Sequence, residues 1–211
     1  MLRFLTAGES HGPCLLAIVE GLPAGVPVDN EVINHELARR QAGYGRGGRM
    51  AIERDRVELL AGVHKGLTTG APVGIRLENR DWANWKDKDL PAITVPRPGH
   101  ADCAGMIKYG VQDARPILER ASARETASRV AAGSLARLLL AELGIFLGGY
   151  VVEIGGVSAQ LPDLVPAELW SLAEASDVRC PDEVASSRMR SAIDSAREAG
   201  DSLGGVFVVT A

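Results

Sequence analysis

The sequence predicts an α+β fold with antiparallel sheets, on two observations. Short apolar runs come in pairs around glycine-bounded loops, the pattern of antiparallel neighbours. Other segments repeat their apolar residues at helical spacing and carry helix start and stop signals. At 211 residues, with 46% hydrophobic and 24% charged, the chain is long enough for a sizeable core and has the balance of an ordinary soluble globular protein.

Taken in order, Leu2–Thr6 alternates and reads as a strand, Gly8–Pro13 breaks it, and Leu15–Val19 resumes as its partner. Asp29 or Asn30 caps a helix with Val32, Ile33 and Leu37 on one face and Arg39 and Arg40 in its last turn; Gly43 ends it. Val57–Val63 and Pro72–Leu77 read as a second strand pair, joined by a turn around Lys65–Gly70. Asn79–Pro98, with Trp82 and Trp85, reads as an extended flap. Ser122-Ala123-Arg124-Glu125 has the spacing of a capping box, in which the Ser hydroxyl and the Glu carboxylate satisfy free backbone N–H groups reciprocally. Ala127, Val130, Ala131, Ser134, Leu135, Leu138 and Leu139 follow at helical spacing, and Gly144 stops the helix. Tyr150–Ile154 then reads as a strand, Pro166–Ala175 and Asp182–Glu198 as helices, and Val206–Thr210 as a strand. The expectation is a single domain over residues 1–211, truncated, because the chain stops inside an apolar strand.

Composition excludes several classes. A net charge of -4 argues against non-specific nucleic-acid binding, which needs a basic footprint. The apolar run near Leu138–Ala141 is far too short to span a bilayer, and Met1–Gly8 is not a signal peptide. Cys14, Cys103 and Cys180 are far apart and show no ligand spacing, which fits a reducing cytosol and gives no metal site.

Three features could carry chemistry. Between Arg39 and Arg56 lie six arginines (Arg39, Arg40, Arg46, Arg49, Arg54, Arg56) against Glu53 and Asp55, in a chain that is acidic overall. Four of the seven residues from Gly43 to Arg49 are glycine, so backbone there can approach a ligand closely. Arg offers a planar fork suited to carboxylate and phosphate; a solvated basic loop is the plain alternative. Second, Arg120-Ala121-Ser122-Ala123-Arg124 puts two arginines and a serine where a helix begins, and helix N-termini favour anions; the alternative is a capped helix whose arginines pair with Glu119 and Glu125. Third, His11 and His100 sit on glycine-containing loops, and imidazole can hand over a proton near neutral pH, although a lone loop histidine is more often only surface.

Four strings, in order and spacing, resemble the chorismate synthase family: Thr6-Ala7-Gly8-Glu9-Ser10-His11-Gly12, Gly43-Tyr44-Gly45-Arg46-Gly47, Arg97-Pro98-Gly99-His100-Ala101-Asp102, and Glu119-Arg120-Ala121-Ser122-Ala123-Arg124-Glu125-Thr126. Gly200–Gly205 looks like a further family segment. The resemblance implies a β-α-β sandwich with long central helices between antiparallel sheets, a cytoplasmic homotetramer, and reduced FMN as cofactor. It implies an anti-1,4 elimination of phosphate from 5-enolpyruvylshikimate 3-phosphate to give chorismate, with NADPH as the flavin's reductant in some members. On this resemblance His11 matches the histidine that protonates the departing phosphate, and His100 the one that protonates reduced flavin. Arg40 and Arg46 match arginines in contact with substrate or nicotinamide nucleotide, and Arg49 lies beside them. Arg120, Ala121 and Ser122 match a flavin-contacting segment, and Arg124 a substrate-phosphate contact. The family also has a further flavin-binding loop and a late Asp that lie beyond Ala211, so the alternative expectation is an inactive fragment that acts only as an interaction partner of intact subunits.

Overall fold

Every second residue of Cys14–Glu20 (β2) is apolar and buried: Leu15, Ala17 and Val19 point one way, while Leu16 and Ile18 point to solvent. That period of two makes β2 the middle of a half-covered antiparallel sheet. Its neighbours are Arg3–Gly8 (β1) on one side and Val73–Glu78 (β7) on the other, and Val57–Ala61 (β4) pairs with β7 to close the order β1-β2-β7-β4, all antiparallel. The computed structural model describes residues 1–45 and 53–211. These divide into two units, 1–40 with 53–139 and 41–45 with 140–211.

In the first unit one sheet face carries the core. Leu15, Ala17 and Val19 of β2 and Val73, Ile75 and Leu77 of β7 pack with Ile33 and Leu37 of α1 (Asn30–Gln41) and with Ala127, Ala131 and Leu135 of α4 (Thr126–Glu142). Alanines at i and i+4 on α4 let that helix lie close to the sheet. Burying each of the larger aliphatic side chains contributes about 1.5–3 kcal/mol. Asp29 caps α1, its carboxylate accepting the Glu31 N–H at 2.9 Å.

The strand expected over Val57–Val63 is broken. β4 stops at Ala61, Gly62 turns at φ +81° where a Cβ would meet Pro72 O at 2.5 Å, and Val63–His64 (β5) belongs to another sheet. That sheet has the order β3-β6-β5, with β3 at Ala24–Pro27 and β6 at Leu67–Thr69.

Asn79–Pro98 is less of a flap than its sequence suggests. A 3₁₀ turn at Arg80–Asn84 starts it, buried Asn79 and Asp81 anchor that turn, and Ile93 is tied to Asp113 and Ala114. Two short helices follow that no apolar period announced: α2 (Asp102–Tyr109), ended by Gly110, and α3 (Arg115–Arg120), with Pro116 in its first turn. The capping box at Ser122 forms only in part. Ser122 Oγ accepts the Arg124 N–H at 3.3 Å, but Glu125 reaches Thr6 and Arg129 instead, so a 3₁₀ turn at Ala123–Glu125 precedes α4.

The second unit has the sheet order β10-β8-β9, antiparallel throughout, from Gly148–Ile154 (β8), Val157–Ser158 (β9) and Gly205–Thr210 (β10). Helices α5 (Pro166–Ala175) and α6 (Glu183–Ala199) pack on it around Val178, Cys180, Ala185 and Met189. Tyr44 joins this unit, its hydroxyl donating to Asp194 at 2.7 Å. The class is therefore α+β with antiparallel sheets, as the sequence predicts.

Candidate active site

The loop between β1 and β2 carries His11. Gly8, at φ +100°, lets β1 turn into it, since a Cβ there would stand 2.4 Å from Cys14 O. The loop is tied down on two sides. Asn79, 2% exposed, donates from its amide to Glu9 O at 2.9 Å and Gly12 O at 2.8 Å, and its backbone N–H donates to Pro13 O. On the other side Ser10 N–H donates to Glu119 O at 3.0 Å. The Glu119 carboxylate, on α3, accepts the His11 backbone N–H at 2.7 Å and sits 2.9 Å from His11 Nδ1. Trp85 lies over the imidazole with ring centroids 4.0 Å apart.

Arg120 follows Glu119 and reaches β1, where Nη2 donates to Thr6 O at 2.8 Å and to Thr6 Oγ1 at 2.5 Å. Arg124 is 5% exposed. Its Nε donates to Asn79 Oδ1 at 2.8 Å, Nη1 to Asp55 Oδ1 at 2.5 Å and Nη2 to Glu78 O at 3.1 Å. Arg40 comes from the end of α1 to the same carboxylate, Nη1 standing 3.6 Å from Asp55 Oδ2, and bonds Thr126 Oγ1 and Ala123 O. Glu53 completes the cluster at 3.8 Å from Arg124 Nη2. Arg40 and Arg124 thus meet at Asp55, and much of their charge is answered by buried carboxylates. Arg46 and Arg49 lie outside the described residues.

His100 occupies a different setting. Buried Asp102 takes Arg97 in a fork, Nε to Oδ2 at 2.8 Å and Nη2 to Oδ1 at 2.9 Å, and the Arg97 guanidinium holds the Asp102 carboxyl well below the usual carboxylate range. His100 Nδ1 lies 2.9 Å from Arg97 Nη2 and 3.2 Å from Asp102 Oδ1. Bare, this nitrogen accepts from arginine; carrying hydrogen, it donates to aspartate.

Between α2 and α3 lies a cavity of about 560 Å³, bordered by Glu9, Ala101, Lys108, Ile117, Arg120 and Ala121 among others. Glu9 belongs to the His11 loop and Ala101 is the neighbour of His100, so the two histidine loops border one cavity. Its walls are largely apolar and carry the cations of Lys108 and Arg120 together with the carboxylate of Glu9, apolar area with a few placed polar groups of the kind that small-molecule sites use. Arg120 and Ala121 line it; Ser122 is turned to the Arg124 N–H. Among the described residues no group of three or more His, Cys, Asp or Glu side chains is placed to hold a metal ion, and no helix is long and apolar enough to cross a membrane.

Glu119 and Asn79 escaped the sequence reading as site residues. Glu119 stood only as an ion-pair partner for the neighbouring arginines and as the start of a family string, and its contact with His11 spans 108 positions. Asn79 stood at the start of an apparent flap.

An imidazole gripped by a carboxylate, on a loop bordering a cation-lined cavity, makes this an α+β protein equipped to bind a small anion and exchange protons with it. The family model described as chorismate synthase matches residues 2–211. The chain is 57% identical over 98% of its length to the chorismate synthase of Desulforudis audaxviator (strain MP104C), and 56% identical over its whole length to that of Symbiobacterium thermophilum (strain DSM 24528 / JCM 14929 / IAM 14863 / T). A solved crystal structure of a chorismate synthase superposes with a TM-score of 0.81 at 44% identity, over 99% of this chain and 57% of that one. The chain belongs to the chorismate synthase family. It spans 55% and 58% of the length of the two named relatives.

Proposed function

We propose that this chain supplies the N-terminal side of a chorismate synthase active site, a lyase site in aromatic amino-acid biosynthesis. The reaction is the anti-1,4 elimination of phosphate from 5-enolpyruvylshikimate 3-phosphate. The observation that carries this reading is the carboxylate-held His11 on a loop that borders the cavity lined by Arg120. Family membership supports the rest.

The elimination breaks a C–O bond to phosphate and a C–H bond at the two end carbons of a four-carbon unit: the C–H electron pair forms a new double bond, the existing double bond shifts, the C–O pair leaves with phosphate, and the carbon-bound proton is lost. In this reading His11 gives a proton to the departing phosphate, a role in which a positioned acid contributes roughly 100- to 10,000-fold. His100, switching partners between Arg97 and Asp102, holds a proton for the flavin side of the cavity. Reduced FMN, when bound, supplies electron density that assists loss of phosphate, chemistry that belongs to the cofactor. Arg120, Ala121 and Lys108 would hold it in the cavity, with Ser122 next to Ala121 in the chain. Arg46 and Arg49 serve the anionic groups of the substrate or of the nicotinamide nucleotide, each charge-assisted bond contributing about 1.5–3 kcal/mol. Arg40 and Arg124 act from behind, holding Asp55 and the His11 loop. The same reading carries a single domain across both units, a cytoplasmic homotetramer, and NADPH as a reductant.

Phosphate release from 5-enolpyruvylshikimate 3-phosphate with reduced FMN tests this. The His11→Ala protein should release phosphate at least about 100-fold more slowly while binding FMN nearly as well. No release by the intact protein, or an unchanged rate after His11→Ala, overturns the assignment.

A further inference from the structure

Glu119 spends both carboxylate oxygens on one residue. Oε2 accepts the His11 backbone N–H at 2.7 Å and Oε1 faces Nδ1 at 2.9 Å, with Oε2 also 3.0 Å from Nδ1. A backbone N–H can only donate, and an ionised carboxylate can only accept. The group facing Nδ1 is therefore an acceptor, and Nδ1 must carry hydrogen whether the ring is neutral or charged. The pair is well shielded, with 22% of the His11 side chain and 11% of that of Glu119 exposed, so the bond forms in a setting of reduced dielectric. Ring rotation is restricted as well. Trp85 covers the imidazole at 4.0 Å and is itself fixed by its indole N–H donating to Asp81 at 2.8 Å.

We propose that Glu119 is a positioning residue that locks His11 in the Nδ1–H tautomer, so that proton exchange with a ligand is confined to Nε2. The catalytic consequence, though not the tautomer, rests on the reading of His11 as the acid for phosphate departure. With Nδ1 committed, the ring gains and loses its proton at one atom, and the Glu119 carboxylate stabilises the charged form without taking the proton.

Replacement of Glu119 by glutamine tests this through a geometric conflict. In Glu119→Gln the backbone N–H of His11 still demands an acceptor, which claims the amide oxygen. The amide NH₂ then faces Nδ1 and donates to it. Neutral His11 should flip to the Nε2–H tautomer. In protein labelled with ¹⁵N-histidine, with the His11 signals assigned from their absence in a His11→Asn protein, the wild-type ring should show a protonated Nδ1 and a bare Nε2 above its titration. Glu119→Gln should exchange the two. Phosphate release should slow by about 100-fold or more through kcat, with KM largely unchanged. A bare Nδ1 in the wild type overturns the proposal with no variant needed, and so does an unchanged tautomer in a folded Glu119→Gln protein. A flipped tautomer with an unchanged rate sustains the tautomer lock and removes His11 from the reaction.

Discussion

Arg124 and Asn79 are joined by a 2.8 Å hydrogen bond from the guanidinium Nε to the amide oxygen, and through it the 3₁₀ turn that precedes α4 reaches the His11 loop. The Asn79 side chain makes three bonds with its four capacities: the oxygen accepts from Arg124, and the nitrogen donates to Glu9 O and Gly12 O. It is 2% exposed, so water cannot substitute for what is removed. Asn79→Ala should lower stability by about 2–4 kcal/mol, since a buried group left unsatisfied costs about 1–3 kcal/mol and more when charged. Urea unfolding measures that loss. The His11 loop should also become more open to amide exchange, and protection unchanged at Ser10 and His11 would show that Glu119 alone holds the loop.

Three of the five N–H groups of Arg124 are engaged within the chain. Its three nitrogens go to Asn79, Asp55 and Glu78, and Glu53 stands 3.8 Å away. Arg124→Met keeps most of the volume and strips the charge from a cluster containing two buried carboxylates. Breaking a buried pair by removing one partner costs about 3–5 kcal/mol, because a charge is left uncompensated. The expected result is a large drop in the urea midpoint. A variant of wild-type stability that had lost only ligand affinity would return Arg124 to the ligand-contacting set.

The strands and longer helices were legible because burial imposes a period on them. β2 alternates cleanly, α5 spans the expected Pro166–Ala175, and Asp182 caps α6 by accepting the Val184 and Ala185 N–H groups. α2 and α3 were not legible. Ile107 and Tyr109 are exposed, and α3 is too short for a period to develop. β3 was hidden by Gly25 and Pro27, residues that ordinarily argue against a strand. The half-formed capping box has a tertiary cause: Glu125 is taken by Thr6, 119 positions away, a competitor no local window contains. The candidate site divides in the same way. Glycine-flanked histidines stand out in a sequence, and Asp102 lies only two positions from His100, whereas the carboxylate and amide that hold the His11 loop, Glu119 and Asn79, are far from it in the chain and look like ordinary surface residues.

Gly8 sets the entry to the His11 loop, and its replacement offers a stringent test. A side chain there meets both the unfavourable φ of +100° and the carbonyl of Cys14 at 2.4 Å, with Leu15 Cα at 2.9 Å. Strain of this kind costs of order 1–3 kcal/mol before the clash is counted. Since Gly8 pairs with Leu15 in the β1–β2 register, relief can come only by parting the strand ends. Gly8→Ala should therefore be less stable by more than about 1 kcal/mol and should show changed amide chemical shifts from Gly8 to Leu15. Wild-type stability and shifts would mean that the turn has another conformation.

The Arg97–Asp102 fork predicts how the fold responds to acid. Asp102 has no exposed surface, and its carboxyl is held down chiefly by the Arg97 guanidinium, with the Arg97 backbone N–H and His100 adding to the effect against burial. A carboxyl lowered in the folded state binds fewer protons there than in the unfolded chain, so stability rises with pH across the interval between the two values. Its contribution is complete above the ordinary Asp value of about 3.9 and drains away as pH falls below that toward the depressed folded value. Asp113 and Asp182, both lowered by backbone N–H bonds, act in the same direction, so the wild-type acid limb is a sum. Asp102→Asn isolates one contributor. It should be less stable than wild type at pH 7, and the gap should narrow steadily as pH is lowered from about 4, as followed by urea midpoints. A gap that stays constant down to pH 2 would show that Asp102 works through packing and not through its charge.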